Sequence, residues 1–225
     1  MPREIMIVCH GQAYNTVQPD GRREVRDASN PPLTPLGEAQ AARAVKVVRA
    51  FDPQHVIISP FLRVAQTALA YLKPAAAEGR FDVRLSEFFI FDALESFNGV
   101  DARYYAELLG SALPVLNELT RRNIFPAMPE SEEALKNRVA ELSQEWLRKP
   151  DWDRLVFYGH GATVLGLIEN LTPELTGRVP EPAHCSITQL VQTPSGAWAP
   201  SLLADVVHLA GLSENVTTST GVAPR

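Results

Sequence analysis

Apolar runs along the chain are short and continuous, and they alternate with segments of helical periodicity. Because these runs do not alternate apolar with polar residues, they favour central parallel strands that are covered on both faces. Two further strands are expected late in the chain. The pattern therefore predicts strands over 4–9 (EIMIVC), 55–59 (HVIIS), 81–85 (FDVRL), 155–158 (LVFY), 186–192 and 202–207.

Helix start signals lie between these strands. Thr34-Pro35 offers an N-cap followed by proline at the first helical position, and Ser59-Pro60 repeats the arrangement. Strand–helix alternation predicts an α/β fold with a mostly parallel central sheet, helices on both faces, and ligands at the carboxyl ends of the strands. Helices are expected over 35–52, 60–72, 101–122, 130–148 and 162–170.

The chain length of 225 residues fits one sizeable domain with an inserted cap. The alternation of strand and helix is interrupted at 88–128, which is the expected small helical cap and the place where substrate identity would be set. We expect a single α/β domain over 1–212. The polar segment 213–225 is expected to be a flexible tail.

Charge and cysteine content narrow the class of protein. Lys and Arg number 21 against 26 Asp and Glu, so a net charge of −5 argues against binding nucleic acid or a membrane by bulk charge. The apolar runs are too short to cross a bilayer, and no signal-peptide pattern is present. Two cysteines cannot form a disulfide framework. We therefore expect a cytoplasmic protein.

Two predicted strands end in a histidine followed by glycine. These are His10-Gly11 and His160-Gly161, and glycine lets the backbone turn sharply after each imidazole. Arg63 is expected in the first turn of a helix, where the helix dipole already favours an anion. A single histidine of this kind is more often a turn residue with a satisfied ring. Two at matching strand ends, together with Arg63, predict a phosphate site if the strands are neighbours.

At these residues the chain resembles the histidine phosphatase superfamily, which includes the phosphoglycerate mutases. The family's opening motif is Arg-His-Gly, and its later motifs follow here in the same order over about residues 1–212. The resemblance implies a phosphoglycerate mutase-like fold. The similar segments are 8–15 (VCHGQAYN), 30–41 (NPPLTPLGEAQA), 59–68 (SPFLRVAQTA), 85–87 (LSE), 159–161 (GHG) and 185–188 (CSIT).

The resemblance also implies catalytic roles. His10 is then the nucleophile that forms a phosphohistidine, with Arg63 and His160 holding the phosphoryl oxygens. Glu87 is then the acid that protonates the leaving oxygen, although Glu95 fits a downstream family pattern and is an open alternative. A neutral imidazole is nucleophilic near pH 7 and needs no metal or cofactor for this step. The resemblance places Asn15 and Gly11 in the phosphate site as well.

One residue departs strongly from the family motif. Cys9 stands where the family has the arginine that precedes the nucleophile, itself a phosphate ligand. Losing one charge donor of this kind costs roughly 10²–10³ in rate. The charged loop that follows the motif could supply a replacement cation. The candidate residues around the phosphate are therefore Asn15, Gly11, Cys9, Arg22 and Arg23, with Arg26 as a further loop candidate.

The preferred function is a metal-independent phosphomonoester hydrolase acting on a small phosphorylated metabolite or a phosphopeptide. A thiol phosphatase needs an arginine six positions after its cysteine, where this chain has Asn15. The five histidines show no metal-ligand spacing, which disfavours a metallohydrolase. The alternative is a weak or inactive pseudophosphatase that binds a phosphorylated ligand or a protein partner. The sequence leaves homodimerisation open.

Overall fold

A computed structural model describes residues 2–16 and 27–212, and a six-stranded mixed sheet is the centre of this part of the chain. The strand order is β3-β2-β4-β1-β5-β6. The four strands on the β3 side pair in parallel, and β5 and β6 are antiparallel additions. The strands are β1 (Glu4–Cys9), β2 (His55–Ile58), β3 (Arg80–Phe81), β4 (Arg154–Gly159), β5 (Ile187–Gln192) and β6 (Trp198–Asp205).

Helices cover both faces of this sheet, which confirms the expected α/β class. The helices of the described residues are α1 (Pro35–Phe51), α2 (Leu62–Ala75), α3 (Ala102–Leu109), α4 (Glu132–Arg148) and α5 (Gly161–Leu171). Side chains of α1 and α2 pack with one apolar cluster, and side chains of α4 and α5 pack with another. None of the helices in the described part of the chain combines the length and apolarity needed to cross a membrane.

The central strand β1 separates these two clusters by its pleat. Met6 and Val8 belong to the cluster on the α1–α2 side, whereas Ile5, Ile7 and Cys9 belong to the cluster on the α4–α5 side. Successive side chains of a strand point to opposite faces, so every residue of the run from 5 to 9 is buried. The continuous apolar pattern of this run therefore reports a strand covered on both faces.

The parallel register brings three strand ends to one edge of the sheet. Cys9 of β1 pairs with Gly159 of β4, and Ile58 of β2 pairs with Tyr158 of β4. The ladder continues one residue further, because the backbone N–H of His10 donates to the Gly159 carbonyl at 3.1 Å. The residues that follow the three strands therefore lie side by side.

The segment between β3 and α4 differs from the sequence-based expectation. The predicted helix over 101–122 is confined to α3, and short 3₁₀ turns follow it. Gly110 ends α3 with φ of 61°, and Pro114 disfavours helical backbone at the residue before it. The predicted strand over 81–85 is also shorter than expected. The Asp82 carboxylate accepts from the Arg84 backbone N–H and turns the chain into a 3₁₀ helix, Val83–Leu85.

The start of α2 also differs from the prediction. The helix begins at Leu62 rather than at Pro60, and no side chain of its own N-cap residue, Phe61, accepts a hydrogen bond. Instead, the Asn30 side-chain oxygen accepts from the Leu62 backbone N–H at 2.7 Å. The cap of α2 therefore comes from a loop distant in sequence, which Ser59-Pro60 could not reveal.

Close backbone packing explains a glycine at the start of α1. A Cβ atom on Gly37 would lie 2.0 Å from the Gln12 carbonyl oxygen, in the loop that follows the nucleophile candidate His10. Gly166 in α5 has a different environment, because a Cβ there would make only ordinary contact with Val139 at 3.5 Å. Gly37 therefore sets the distance between α1 and this loop.

We predict that Gly37→Ala destabilises the fold by about 1–3 kcal/mol, because the backbone must move to admit the methyl group. The matched control is Gly166→Ala, which should stabilise by about 0.5–1 kcal/mol through higher helix propensity. Chemical denaturation with a common slope measures both changes. Equal effects of the two substitutions would contradict the close approach at Gly37.

Candidate active site

The imidazole of His10 lies at the carboxyl end of β1 and is 1% exposed. Its Nδ1 atom is 2.7 Å from the Gly11 carbonyl oxygen, which can only accept a hydrogen bond, so Nδ1 carries the proton. Its Nε2 atom accepts from Arg63 Nε at 3.3 Å. The lone pair of His10 Nε2 therefore faces the guanidinium of Arg63.

Arg63 is the charged centre of the cluster. It is the second residue of α2, and it is 1% exposed. Its Nη2 atom donates to Glu87 Oε2 at 2.8 Å and lies 3.1 Å from His160 Nδ1. One guanidinium thus contacts three titratable side chains that come from three separate segments.

His160 completes the cluster from the end of β4. Its Nε2 atom is 2.8 Å from Ser59 Oγ, and its Nδ1 atom is 3.2 Å from Glu87 Oε2. The backbone N–H of His160 donates to Thr163 Oγ1 at 2.9 Å, which fixes the start of α5. The two catalytic candidates His10 and His160 have ring centroids 5.2 Å apart.

Burial keeps both histidines uncharged. Desolvation, followed by the positive charge of Arg63, holds the pKa of His10 well below its ordinary value. Desolvation also lowers the pKa of His160 to about 4, against the opposing attraction of Glu87. Both imidazoles are therefore neutral at pH 7, and Nε2 of His10 is unprotonated, with its electron pair accepting from Arg63 Nε.

Glu87 is the counter-charge of Arg63. Burial alone would raise the pKa of this carboxyl group, but His160 and the Arg63 guanidinium outweigh burial and hold it below its usual range. The second oxygen of Glu87 accepts from the Phe88 backbone N–H at 3.0 Å. At neutral pH the cluster is therefore a buried ion pair flanked by two neutral imidazoles.

A cavity of about 510 Å³ opens onto this cluster. The buried residues of its lining, His10, Arg63 and Glu87, are its floor, and the half-buried Asn15 and Thr16 are part of its wall. Its volume is in the usual range of small-molecule sites. The other lining residues are Ala28, Ser29, Pro31, Ile90, Phe91, Asp92, Ala93, Leu94 and Ala162.

Three side chains of this cluster are of the types that bind metal ions. His10, Glu87 and His160 offer ligand atoms that all lie within 4.8 Å of one another, a grouping that no sequence spacing indicated. The Arg63 guanidinium is hydrogen-bonded in the middle of these three side chains. A fixed positive charge there opposes a cation and attracts an anion.

The structure brings four of the predicted site residues together, namely His10, Arg63, Glu87 and His160. Asn15 lines the same cavity, and the Gly11 backbone N–H donates to Thr67 Oγ1 of α2 at 3.0 Å, which holds the loop in place. The alternative acid, Glu95, is exposed and is not among the residues that line the cavity.

Cys9 lies beside the cluster but within the apolar core. Its side chain is fully buried among residues of β1, β4 and α5. Burial, together with the negative charge of Glu87, raises the pKa of this thiol to about 12, so it is not a thiolate. The loop arginines Arg22, Arg23 and Arg26 and the expected tail at 213–225 lie outside the described residues.

Sequence reasoning missed several residues that hold the cluster in place. Ser59 was expected to cap a helix, and its hydroxyl does accept from the Phe61 backbone N–H at 3.4 Å, but it also contacts His160 at 2.8 Å. Thr67 links the loop after β1 to the Arg63 carbonyl. The position of Thr67 one helical turn after Arg63 is the sequence signal that could have identified it.

Arg138 of α4 also holds the cluster in place, and no sequence motif around it indicated this. Its guanidinium pairs with the buried Glu130 carboxylate and donates to the backbone carbonyls of residues 84, 86 and 87. Those carbonyls belong to the segment that carries Glu87. Arg138 is therefore placed to fix the position of the Glu87 carboxylate, although it lies outside the lining of the cavity.

The family comparison agrees with this geometry. Residues 5–205 match the sequence profile of the histidine phosphatase superfamily (branch 1), and the chain belongs to that superfamily. A relative from Enterobacter sp. (strain 638), named "Probable phosphoglycerate mutase GpmB", is 24% identical over 219 residues, covering 92% of this chain and 94% of the relative.

Solved structures share the fold. Mycobacterial glucosyl-3-phosphoglycerate phosphatase superposes with a TM-score of 0.64 at 20% identity, covering 92% of this chain and 100% of that one. A mutant phosphoserine phosphatase from Entamoeba histolytica, in complex with phosphoserine, superposes with a TM-score of 0.61 at 16% identity, covering 92% and 99%. At this identity the likeness establishes the phosphoglycerate mutase-like fold.

We predict that Arg138→Lys lowers kcat for a phosphomonoester by about 10- to 100-fold with little change in KM, because small misplacements of a reacting group are costly. Lysine keeps a charge for Glu130, but its three N–H donors on one nitrogen cannot replace the hydrogen bonds that Arg138 makes to Glu130 and to the three carbonyls together. The control is Arg84→Lys, since Arg84 pairs with Asp82 and Glu145 on the surface side of the same segment. A wild-type kcat for Arg138→Lys would show that Arg138 is structural only.

Proposed function

We propose that this chain is a phosphomonoester hydrolase that transfers the phosphoryl group to His10 Nε2 and then to water. The observation that carries this proposal is the state of His10: a buried, neutral imidazole with its proton on Nδ1 and its Nε2 lone pair facing the Arg63 guanidinium in the cavity lining. Membership of the histidine phosphatase superfamily supports the same chemistry. A neutral nitrogen nucleophile needs no further activation at pH 7.

In the first step a bond forms between His10 Nε2 and phosphorus, and the bond between phosphorus and the alcohol oxygen breaks. The Arg63 guanidinium and His160 stabilise the charge on the phosphoryl oxygens, and the Asn15 amide lies on the wall of the same cavity. The fixed charge of Arg63 supplies the electrostatic stabilisation. The reaction is therefore proposed to be metal-independent.

Glu87 is the proposed carrier of the proton for the leaving alcohol. In the free site it is a carboxylate paired with Arg63. A bound phosphate competes with Glu87 for the Arg63 guanidinium, which weakens the ion pair that keeps Glu87 ionised. Glu87 can then take the proton of a monoanionic phosphate and donate it to the leaving alcohol oxygen. In the second step the same carboxylate takes a proton from the water that attacks phosphohistidine, and the bond between His10 Nε2 and phosphorus breaks. The departing inorganic phosphate takes that proton with it, which restores neutral His10 and the Glu87 carboxylate.

The proposed substrate is a small phosphorylated metabolite or a phosphopeptide. The proteins that the chain resembles include a relative named as a probable phosphoglycerate mutase, and the solved structures with the same fold include a glucosyl-3-phosphoglycerate phosphatase and a phosphoserine phosphatase. The segment 88–128 is proposed to act as a cap that selects the substrate, since residues 90–94 line the cavity. The two cysteines of the chain are free and buried, which supports a cytoplasmic location.

The second candidate function is a pseudophosphatase, and Cys9 is the observation that favours it. We propose that Cys9 replaces the family arginine before the nucleophile, which leaves Arg63 as the cation among the described lining residues. The loss of one charged donor lowers the rate of such a site but does not abolish catalysis. We therefore prefer a hydrolase, either slow or with a loop arginine that supplies the missing charge, to a protein that only binds a phosphorylated ligand.

We predict that a rapid quench during turnover of p-nitrophenyl phosphate traps a phosphoryl group on His10. The adduct should be labile in acid and stable in base, as expected for phosphohistidine, and mass spectrometry of the digested protein locates it. His10→Ala should abolish both the adduct and the hydrolysis.

His55→Gln is the control for this experiment, because His55 lies at the opposite end of β2 against Trp146 and should leave labelling unchanged. A base-labile adduct on another residue would contradict the mechanism. So would a rate that EDTA abolishes and Mg²⁺ restores.

We predict an acidic pH optimum for an alkyl phosphate. The lowered pKa of His10 keeps the nucleophile neutral well below pH 6.5, so kcat/KM should not fall between pH 6.5 and 5. Above about pH 6 the phosphate loses its second proton, so kcat/KM should fall by about tenfold per pH unit at high pH. Enzyme held at pH 5 and assayed at pH 6.5 controls for unfolding. A loss of rate between pH 6.5 and 5.5 would mean that His10 titrates normally.

We predict that Cys9→Arg raises kcat by up to roughly 10²–10³-fold if the site lacks one cation. Cys9→Met is the matched control, because it adds comparable bulk without charge. A decrease for Cys9→Arg with Cys9→Met tolerated, together with damage from Arg22→Ala, Arg23→Ala or Arg26→Ala, would show that a loop arginine already supplies the charge. No hydrolysis by any folded form would favour the pseudophosphatase.

A further inference from the structure

The mouth of the active-site cavity is apolar. Ile90 and Phe91 line it and are 45% and 52% exposed, although large apolar side chains are usually covered. Leu94 and Ala93 continue the same wall, and Pro31 lies in the lining as well. Exposed apolar side chains gathered at a concave site mark a place where a ligand covers them.

The charges along the same cavity oppose a second anionic group. Among the described lining residues Arg63 is the cation, and it is already paired with Glu87 on the floor. Asp92 adds a carboxylate between Phe91 and Ala93 at the mouth. Along the described lining, a substrate with a second phosphate or a carboxylate would therefore meet the Asp92 carboxylate and no cation other than the paired Arg63.

We infer that the alcohol part of the substrate is an apolar group without a further anionic substituent, which contacts Ile90 and Phe91 while the phosphate reaches His10 and Arg63. This inference rests on the proposed function and names the substrate class of that site. Phosphoglycerates and bisphosphorylated sugars fall outside this class. An alkyl or isoprenoid-like phosphomonoester falls within it.

A homologous series of n-alkyl phosphates tests the inference, because ethyl, butyl and hexyl phosphate share nearly the same leaving group and differ in apolar length. A fully buried methylene contributes a factor of about four, so a half-open mouth should give about twofold per methylene in kcat/KM. Hexyl phosphate should then exceed ethyl phosphate by at least about tenfold. It should exceed 3-phosphoglycerate by a larger factor, since that substrate also meets Asp92.

Substitutions at the cavity mouth test whether Ile90 and Phe91 cause the dependence of kcat/KM on alkyl chain length. Phe91→Ser and Ile90→Ser should flatten the dependence on chain length, and Asp92→Lys should raise kcat/KM for 3-phosphoglycerate. The matched control is Leu116→Ser, which removes an apolar side chain of similar exposure (53%) that is not among the cavity residues. The control should keep the wild-type slope.

The outcomes separate this inference from the proposed function. If kcat/KM does not rise with alkyl chain length, or if 3-phosphoglycerate is a better substrate than hexyl phosphate, the inference of an apolar substrate group is overturned. Hydrolysis that depends on His10 would still support the proposed phosphatase function. If no ester is hydrolysed, the proposed function fails, and calorimetry with ethyl- and hexylphosphonate tests the mouth directly. Hexylphosphonate bound at least about tenfold more tightly supports it, and equal affinity overturns it.

Discussion

The burial of one guanidinium, that of Arg63, is the constraint on which the rest of the site depends. A charge taken out of water is costly unless it is paired and its donors are satisfied. Glu87 supplies the opposite charge and accepts from Arg63 Nη2. His10 Nε2 accepts from Arg63 Nε, and His160 Nδ1 lies 3.1 Å from Arg63 Nη2. The carboxyl ends of three parallel strands must therefore meet at a fixed distance for Arg63 to stay buried.

Further hydrogen bonds surround this arrangement. Tyr105 of α3 donates to the Pro60 carbonyl at 2.8 Å and accepts from Asn30, which itself caps α2. Thr67 holds the loop after β1, and Arg138 holds the segment that carries Glu87. The segment between β3 and α4 thus bears on the catalytic geometry as well as on the mouth of the cavity, because α3 belongs to it.

The charge balance of the free site allows Glu87 to be either a carboxylate or a carboxylic acid in the proposed reaction. Arg63 and Glu87 cancel while both imidazoles are neutral, so the ion pair and the two rings together carry no net charge. In the proposed mechanism an incoming phosphate changes that balance, since it competes with Glu87 for Arg63. The carboxylate freed in this way is the group that we propose to accept and return a proton.

The sequence could predict what local patterns encode. The α/β class followed from continuous apolar runs between capped helices. The convergence of the three side chains followed, for neighbouring strands, from His10 and His160 at strand ends and Arg63 in the first turn of the helix after a third strand. The extent of the helix expected over 101–122 was wrong, since Gly110 and Pro114 override its apolar periodicity. The contacts of Ser59 with His160 and of Arg138 with the Glu87 carbonyl could not be predicted, because these partners lie 101 and 51 residues apart in the sequence.

The protonation state of His10 is the central claim, and ¹⁵N NMR of the histidine side chains tests it most directly. Labelled protein with His10 assigned through His10→Ala should show Nδ1 protonated and Nε2 unprotonated from pH 7 down to below pH 5.5. An unchanged neutral pattern across this range is the predicted result. A His10 ring that takes up a second proton near pH 6.5, or that carries its proton on Nε2, would contradict the account.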